Sequence, residues 1–158
     1  MKEIGGYLQL DELIKKPFHK KCIALNSGRA ALLYLSIHRK IKILYIPFYL
    51  CNSVFDYIDN RTTEIRFYHI NEKFHPMVDS IDEDATIYIV NYYGFLSNEL
   101  IEYLKIKYNN IIVDNTHAFF QKPLKGIDTI YSCRKFFGVP DGAYLYSNEI
   151  YQKKFRNK

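Results

Sequence analysis

Short apolar runs alternate along the chain with longer stretches of helical period. Seven runs predict strands, at 21–25, 42–47, 64–70, 86–92, 110–114, 128–133 and 143–147. Several are β-branched or aromatic and apolar on both faces, as strands buried inside a sheet are. Three stretches predict helices, at 28–38, 51–59 and 98–108. The last has a clear start: Ser97 can cap it, and Glu99 and Glu102 lie in its first turns, where the helix dipole favours acids. Strands alternating with helices predict an α/β fold, a mostly parallel seven-stranded sheet with helices on both faces and right-handed crossovers. No repeat, low-complexity tract or linker breaks the pattern, so 1–158 reads as one domain.

Composition narrows this picture. The chain has 158 residues, 48% hydrophobic and 25% charged, enough for one globular domain with a core of its own. Gly5, Gly6, Asp11 and Glu12 interrupt the amino-terminal region, and no apolar run approaches bilayer length, so neither a signal peptide nor a membrane span is expected. The expected compartment is the cytoplasm. Cys22, Cys51 and Cys133 are odd in number and widely spaced, which suits free thiols better than a disulfide frame or a zinc site. The net charge of +5 gathers at 15–21, 39–42 and 153–158. Nucleic-acid binding is one reading of that charge. Solvated lysine-rich faces are the simpler one, because the 15 tyrosines do not interleave with the basic clusters as stacking platforms would.

Three places carry candidate chemistry. In ALNSGRAALLYL a strand runs into Ser27 and Gly28 and then a helix begins at Arg29. The first amides of a helix lack internal partners and bind phosphate well, although Ser-Gly is also a common plain cap. In NNIIVDNTHAFF the apolar run ends on Asp114, followed closely by His117. That carboxylate could pair with a cationic ring nitrogen, or simply make an Asx turn. No second carboxylate or Cys/His set at ligand spacing accompanies it, so no metal is expected. In IDTIYSCRKFFG, Ser132 leads to Lys135, which precedes Phe136 and Phe137. Apolar neighbours could desolvate the amine and make it nucleophilic, whereas a surface lysine is the ordinary alternative. The combination says more than its parts. A helix-start phosphate site, a strand-end Asp and a Lys 21 positions later come in the order that a pyridoxal 5′-phosphate site needs.

These segments resemble the DegT/StrS family of sugar aminotransferases, within the fold-type-I pyridoxal-phosphate enzymes. NSGRAAL resembles the family's phosphate segment, IPFYLCNSV the segment that reaches over the ring, and VNYYGF its Val-x-x-x-Gly strand. VDNTHAF resembles the block that carries the ring-nitrogen partner, and SCRKFFGVPDGAYL the lysine segment with the strand after it. Cys51 stands where the family usually has a stacking aromatic, with Tyr49 nearby, and Asp141-Gly142 replaces Gly-Gly.

The resemblance implies that Ser27, Gly28 and Ser132 hold phosphate and that Arg29 belongs to the same cofactor site. It implies that Asp114 meets the ring nitrogen, that His117 lies near the ring hydroxyl, and that Lys135 forms the imine and moves protons. It implies a large domain with its cofactor sheet over 20–148, preceded by a segment over 1–15. It also implies amino transfer from an amino acid such as glutamate to a keto sugar, in a homodimer. Family members are more than twice this length and add a small carboxyl-terminal domain. The alternative expectation is therefore a truncated, inactive remnant, or a half-enzyme that needs a second chain.

Overall fold

In the computed structural model, which describes residues 17–147, the apolar runs assemble into one eight-stranded sheet. The strands are β1 (Ile23–Leu25), β2 (Ile43–Pro47), β3 (Glu64–Ile70), β4 (Pro76–Met77), β5 (Thr86–Val90), β6 (Ile111–Asp114), β7 (Asp128–Ser132) and β8 (Ala143–Tyr146). The helices are α1 (Gly28–His38) and α2 (Asn98–Tyr108). Spatial order is β1-β8-β7-β6-β5-β2-β3-β4. From β7 through β3 all neighbours are parallel. The margins are antiparallel, with β8 set between β1 and β7 and β4 lying on β3.

Helices cover both faces, as the pattern predicts. Tyr88, Val90 and Ile112 point to the α1 side, against Ala31, Leu32 and Leu35. Their neighbours in sequence, Ile87, Ile89, Ile111 and Val113, point to the α2 side, against Ile101 and Leu104. This is the period-two alternation of a strand buried on both faces. Both helices start on a serine cap: Ser27 Oγ accepts the Ala30 N–H and Ser97 Oγ accepts the Leu100 N–H.

Two expectations need correction. The sheet has eight strands and not seven; β4 is two residues long and begins with proline, too short to show a period. The helix expected over 51–59 is only a 3-10 turn, Asn52–Val54, followed by further turns. No side chain caps its start, and Asp59 takes the Arg61 N–H and guanidinium instead of continuing a helix. The apolar spacing there still serves the core, since Val54, Phe55 and Ile58 pack on the α1 side. The expected segment over 1–15 and the basic cluster at 153–158 lie outside the described residues. Among the described residues no helix is long and apolar enough to cross a membrane.

The topology has a switch point. Beyond β2 the chain turns outward to β3 through 51–62 on the α1 side, while beyond β5 it turns the other way to β6 through α2 on the opposite side. The carboxyl ends of β2 and β5 therefore flank a crevice of the kind where ligands bind in open α/β sheets.

His19, just ahead of β1, is 3% exposed and ties this edge together. Its Nε2–H donates to the Phe119 carbonyl at 2.9 Å, and its Nδ1 accepts from the Tyr146 hydroxyl at 3.2 Å. Tyr131, Tyr144 and Phe119 pack around the ring, and no carboxylate is among its described partners. Burial holds its pKa below the ordinary 6.5, partly offset by the Phe119 carbonyl. A depressed histidine pKa means that the folded state prefers the neutral ring. Its contribution is full above about pH 6.5 and is lost as pH falls toward the folded value. The urea midpoint of the parent is expected to drop on acidification below that point, and His19→Gln should flatten the drop.

Candidate cofactor site

Asp114 ends β6 on the α1 side of the sheet and is 5% exposed. A buried carboxylate needs donors. The Tyr88 hydroxyl supplies one to Oδ2 at 2.6 Å, and the Thr116 N–H supplies another to Oδ1 at 2.8 Å. The Asx turn foreseen as the ordinary alternative is therefore present, and it occupies only part of the carboxylate's four lone-pair sites. Thr116 in turn abuts α1. A Cβ added at Gly28 would sit 3.9 Å from Thr116 Oγ1 and 3.6 Å from Ile130 Cγ2. The amino end of α1 thus lies over the ends of β6 and β7, beside Asp114. Those contacts are ordinary ones, so the protein's own packing does not demand glycine at 28. Arg29 directs its guanidinium to the Tyr57 ring, 5.7 Å from the centroid, leaving its backbone amide as its contribution at the helix start.

His117 sits half-buried on the same loop. Its Nδ1 is buried and has no hydrogen-bond partner among the described residues. The Tyr93 ring stacks on the imidazole, with centroids 5.4 Å apart and planes 25° apart, and Tyr92 approaches at 6.4 Å. Tyr92 donates its hydroxyl to the Tyr49 carbonyl, joining the segments after β5 and β2 across the switch point. Burial, with the Asp114 charge adding to it, pushes the Tyr92 hydroxyl well up, so it stays a donor.

Ser132 ends β7 and Lys135 closes the 3-10 turn Cys133–Lys135. The Cys133 N–H donates to the Gly142 carbonyl at 2.9 Å, and the Gly142 N–H donates to the Asn26 carbonyl at 2.8 Å. Through these two bonds the lysine segment is fastened to the loop that carries Ser27. Gly142 has φ +112, and a Cβ there would come within 3.2 Å of Cys133 Sγ. Gly142→Ala is expected to cost about 1–3 kcal/mol in chemical denaturation, through strain in a backbone region that side chains avoid.

The expected desolvation of Lys135 is not found. Lys135 is exposed, and Phe136 and Phe137 are 40% and 43% exposed. The turn leaves the carboxyl end of β7, so the aromatics flank the amine without covering it. Among the described residues Lys135 makes no hydrogen bond or ion pair, to Asp114 or to any other group. The folding therefore gathers Ser27, Gly28, Asp114 and His117 on one sheet edge, with the Ser132 to Lys135 segment tethered beside them.

Sequence reasoning missed the groups that hold this edge. Asn91, fully buried, donates through Nδ2 to Asn115 Oδ1 at 3.0 Å and to Gln121 Oε1 at 2.7 Å, and accepts the Leu96 N–H at 2.9 Å. Asn115 Nδ2 reaches the Tyr131 hydroxyl at 3.2 Å, and that hydroxyl donates to the Gln121 carbonyl at 2.7 Å. The available signal was an Asn just beyond each of two apolar runs. A cleft of about 540 Å³ lies elsewhere, lined by Phe55, Ile58, Ile65 and Phe67 near the start of β3, and touches none of the motif residues.

The fold is that of the large domain of aminotransferase structures. No protein-family model and no curated protein sequence matches the chain. Solved structures do match. A DegT DnrJ EryC1 StrS aminotransferase from Brucella abortus is similar at 16% identity and TM-score 0.62, over 83% of this chain and 42% of that one. A decarboxylase from Sulfurospirillum multivorans is similar at 16% identity and TM-score 0.58, over 87% and 42%. An aromatic aminotransferase from Pyrococcus horikoshii OT3 is similar at 14% identity and TM-score 0.58, over 80% and 43%. The chain spans less than half the length of these proteins. The large-domain fold expected from the DegT/StrS resemblance is the fold observed. Aminotransferase and decarboxylase names among the neighbours leave the reaction to be argued from the site.

Proposed function

We propose that this sheet edge binds pyridoxal 5′-phosphate and that the chain is the cofactor-binding part of a DegT/StrS-type aminotransferase. The observation that carries the reading is the convergence of the α1 amino end with the buried Asp114 carboxylate, beside a His117 nitrogen that lacks a partner among the described residues. The residues suit the group. The free amides at the start of α1, with the Ser27 and Ser132 hydroxyls, match a phosphate. Tyr88 and Thr116 fix Asp114 yet leave it acceptor capacity for a ring N–H. His117 Nδ1 is available to a ring hydroxyl. When bound, the cofactor supplies an electron sink that eases loss of a proton from an amino acid's α-carbon.

Asp114 would accept the ring N–H and so favour the protonated ring. Lys135 Nζ would be the group that holds the cofactor covalently at its aldehyde carbon, and the same amine would carry a proton as acid and base. By analogy of fold, the donor is an amino acid such as glutamate, the acceptor a keto sugar, and the assembly a homodimer.

The exposure of Lys135 favours a second reading, in which this chain binds the cofactor but needs further mass over the lysine for turnover. One titration separates the two. Pyridoxal phosphate added to the protein should give a new near-visible absorption band, absent in Lys135→Ala. Glutamate should then bleach the band and yield 2-oxoglutarate if the chain turns over. A stable band with no keto acid selects the second reading, and no band in the parent rejects both.

A further inference from the structure

We propose that Tyr93 is a positioning residue of the cofactor site, holding the His117 imidazole in place by stacking. The proposal rests on the reading of the site given above.

The backbone at Tyr93 is the first observation. Its φ of 54° and ψ of 16° lie in the left-handed region, which side-chain-bearing residues avoid, and Gly94 follows at φ 76°. A turn needed only to leave β5 would be met more easily by glycine at both positions. Burial does not explain the tyrosine either, because it remains 60% exposed. The unfavourable conformation instead aims the ring at His117, nearly parallel to the imidazole. The Tyr49 side chain lies beside the Tyr93 hydroxyl, and Phe74 and Phe95 flank the ring at 5.7 and 6.2 Å. The tyrosine is thus surrounded by the segment after β2, the β3–β4 turn and its own loop.

The second observation is what His117 lacks. Its Nδ1 has no hydrogen-bond partner among the described residues. A stacking contact can set the plane of an imidazole without occupying its nitrogens, which a hydrogen bond cannot do. Asp114, three residues earlier, is pinned by Tyr88 and Thr116. The loop is therefore fixed at one end by hydrogen bonds to the carboxylate and at the other by the Tyr93 ring. Left-handed conformations of non-glycine residues gather at functional sites, where the surroundings enforce them.

The test compares Tyr93→Gly and Tyr93→Phe with the parent. Tyr93→Gly relieves the backbone and removes the ring, so a merely structural tyrosine would leave the cofactor untouched. Tyr93→Gly is expected to melt no lower than the parent but to bind pyridoxal phosphate roughly tenfold more weakly, the scale of one aromatic stack. The absorption band of the bound cofactor should shift. In the cofactor-free protein the His117 ring resonances should lose their upfield ring-current shift. Tyr93→Phe, which keeps the stack, should keep the parent's band and an affinity within about twofold. Equal binding and an unchanged band in the parent and Tyr93→Gly would overturn the proposal while leaving the site reading intact. A parent that takes up no cofactor overturns the site reading and this proposal with it.

Discussion

Asp114→Ala is expected to lower the affinity for pyridoxal phosphate by about 100-fold, the scale of a hydrogen bond to a charged group in a buried setting. Two losses combine in this variant. The ring nitrogen loses its anionic acceptor, and the Tyr88 hydroxyl, on a side chain 1% exposed, loses the carboxylate that accepts its proton. The second loss should cost about 1–3 kcal/mol of stability without any cofactor present. Asp114→Asn separates the two. The amide can still accept from Tyr88 or Thr116, so stability should largely return, while binding stays weak because the anion is gone. Absorption titration reads the first effect and urea denaturation the second. Full affinity in Asp114→Asn would mean that the carboxylate's charge plays no part.

Asn91→Leu is expected to be the most destabilising single change at this edge, by about 4 kcal/mol in urea denaturation. Leucine is close in size, so the effect does not come from a cavity. It comes from Asn115 Oδ1, Gln121 Oε1 and the Leu96 N–H, each buried or part-buried and each losing its Asn91 partner. Gln121 also donates to the Leu96 carbonyl and to Asn98 Oδ1, which couples the defect to the start of α2. A loss below about 1 kcal/mol would show that water replaces these bonds readily. The site should suffer too, since Asn115 follows Asp114 directly and its N–H is held by the Ile130 carbonyl at 2.8 Å.

Local chemistry explains which parts of this architecture were readable in advance. The helices at 28–38 and 98–108 were legible to the residue, because each has a serine cap and an apolar stripe that need no knowledge of distant contacts. β3 was legible for a similar reason, as a run of seven bounded by polar turns. Asp114 could be picked out because an acid ending an apolar run on a buried strand is rare without a reason. The stretch at 51–59 misled because its apolar spacing was genuine while its polar residues favoured turns, a contest that tertiary packing decided. The bonds from Asn91 to Asn115 and Gln121 and the stack of Tyr93 on His117 join residues 24 or more positions apart, and no local pattern encodes such a pairing. The exposure of Lys135 was hidden for the opposite reason: its aromatic neighbours are local, but what lies over them is not.

This sheet edge should present pyridoxal phosphate to Lys135 in particular, in a chain with 16 lysines. Borohydride reduction of the protein with equimolar pyridoxal phosphate, followed by peptide mapping, tests it most directly. One dominant modified peptide is expected, with the added mass on Lys135, and its loss in Asp114→Ala at the same cofactor concentration. Modification spread evenly over the exposed lysines, or concentrated on one away from this edge, would contradict it.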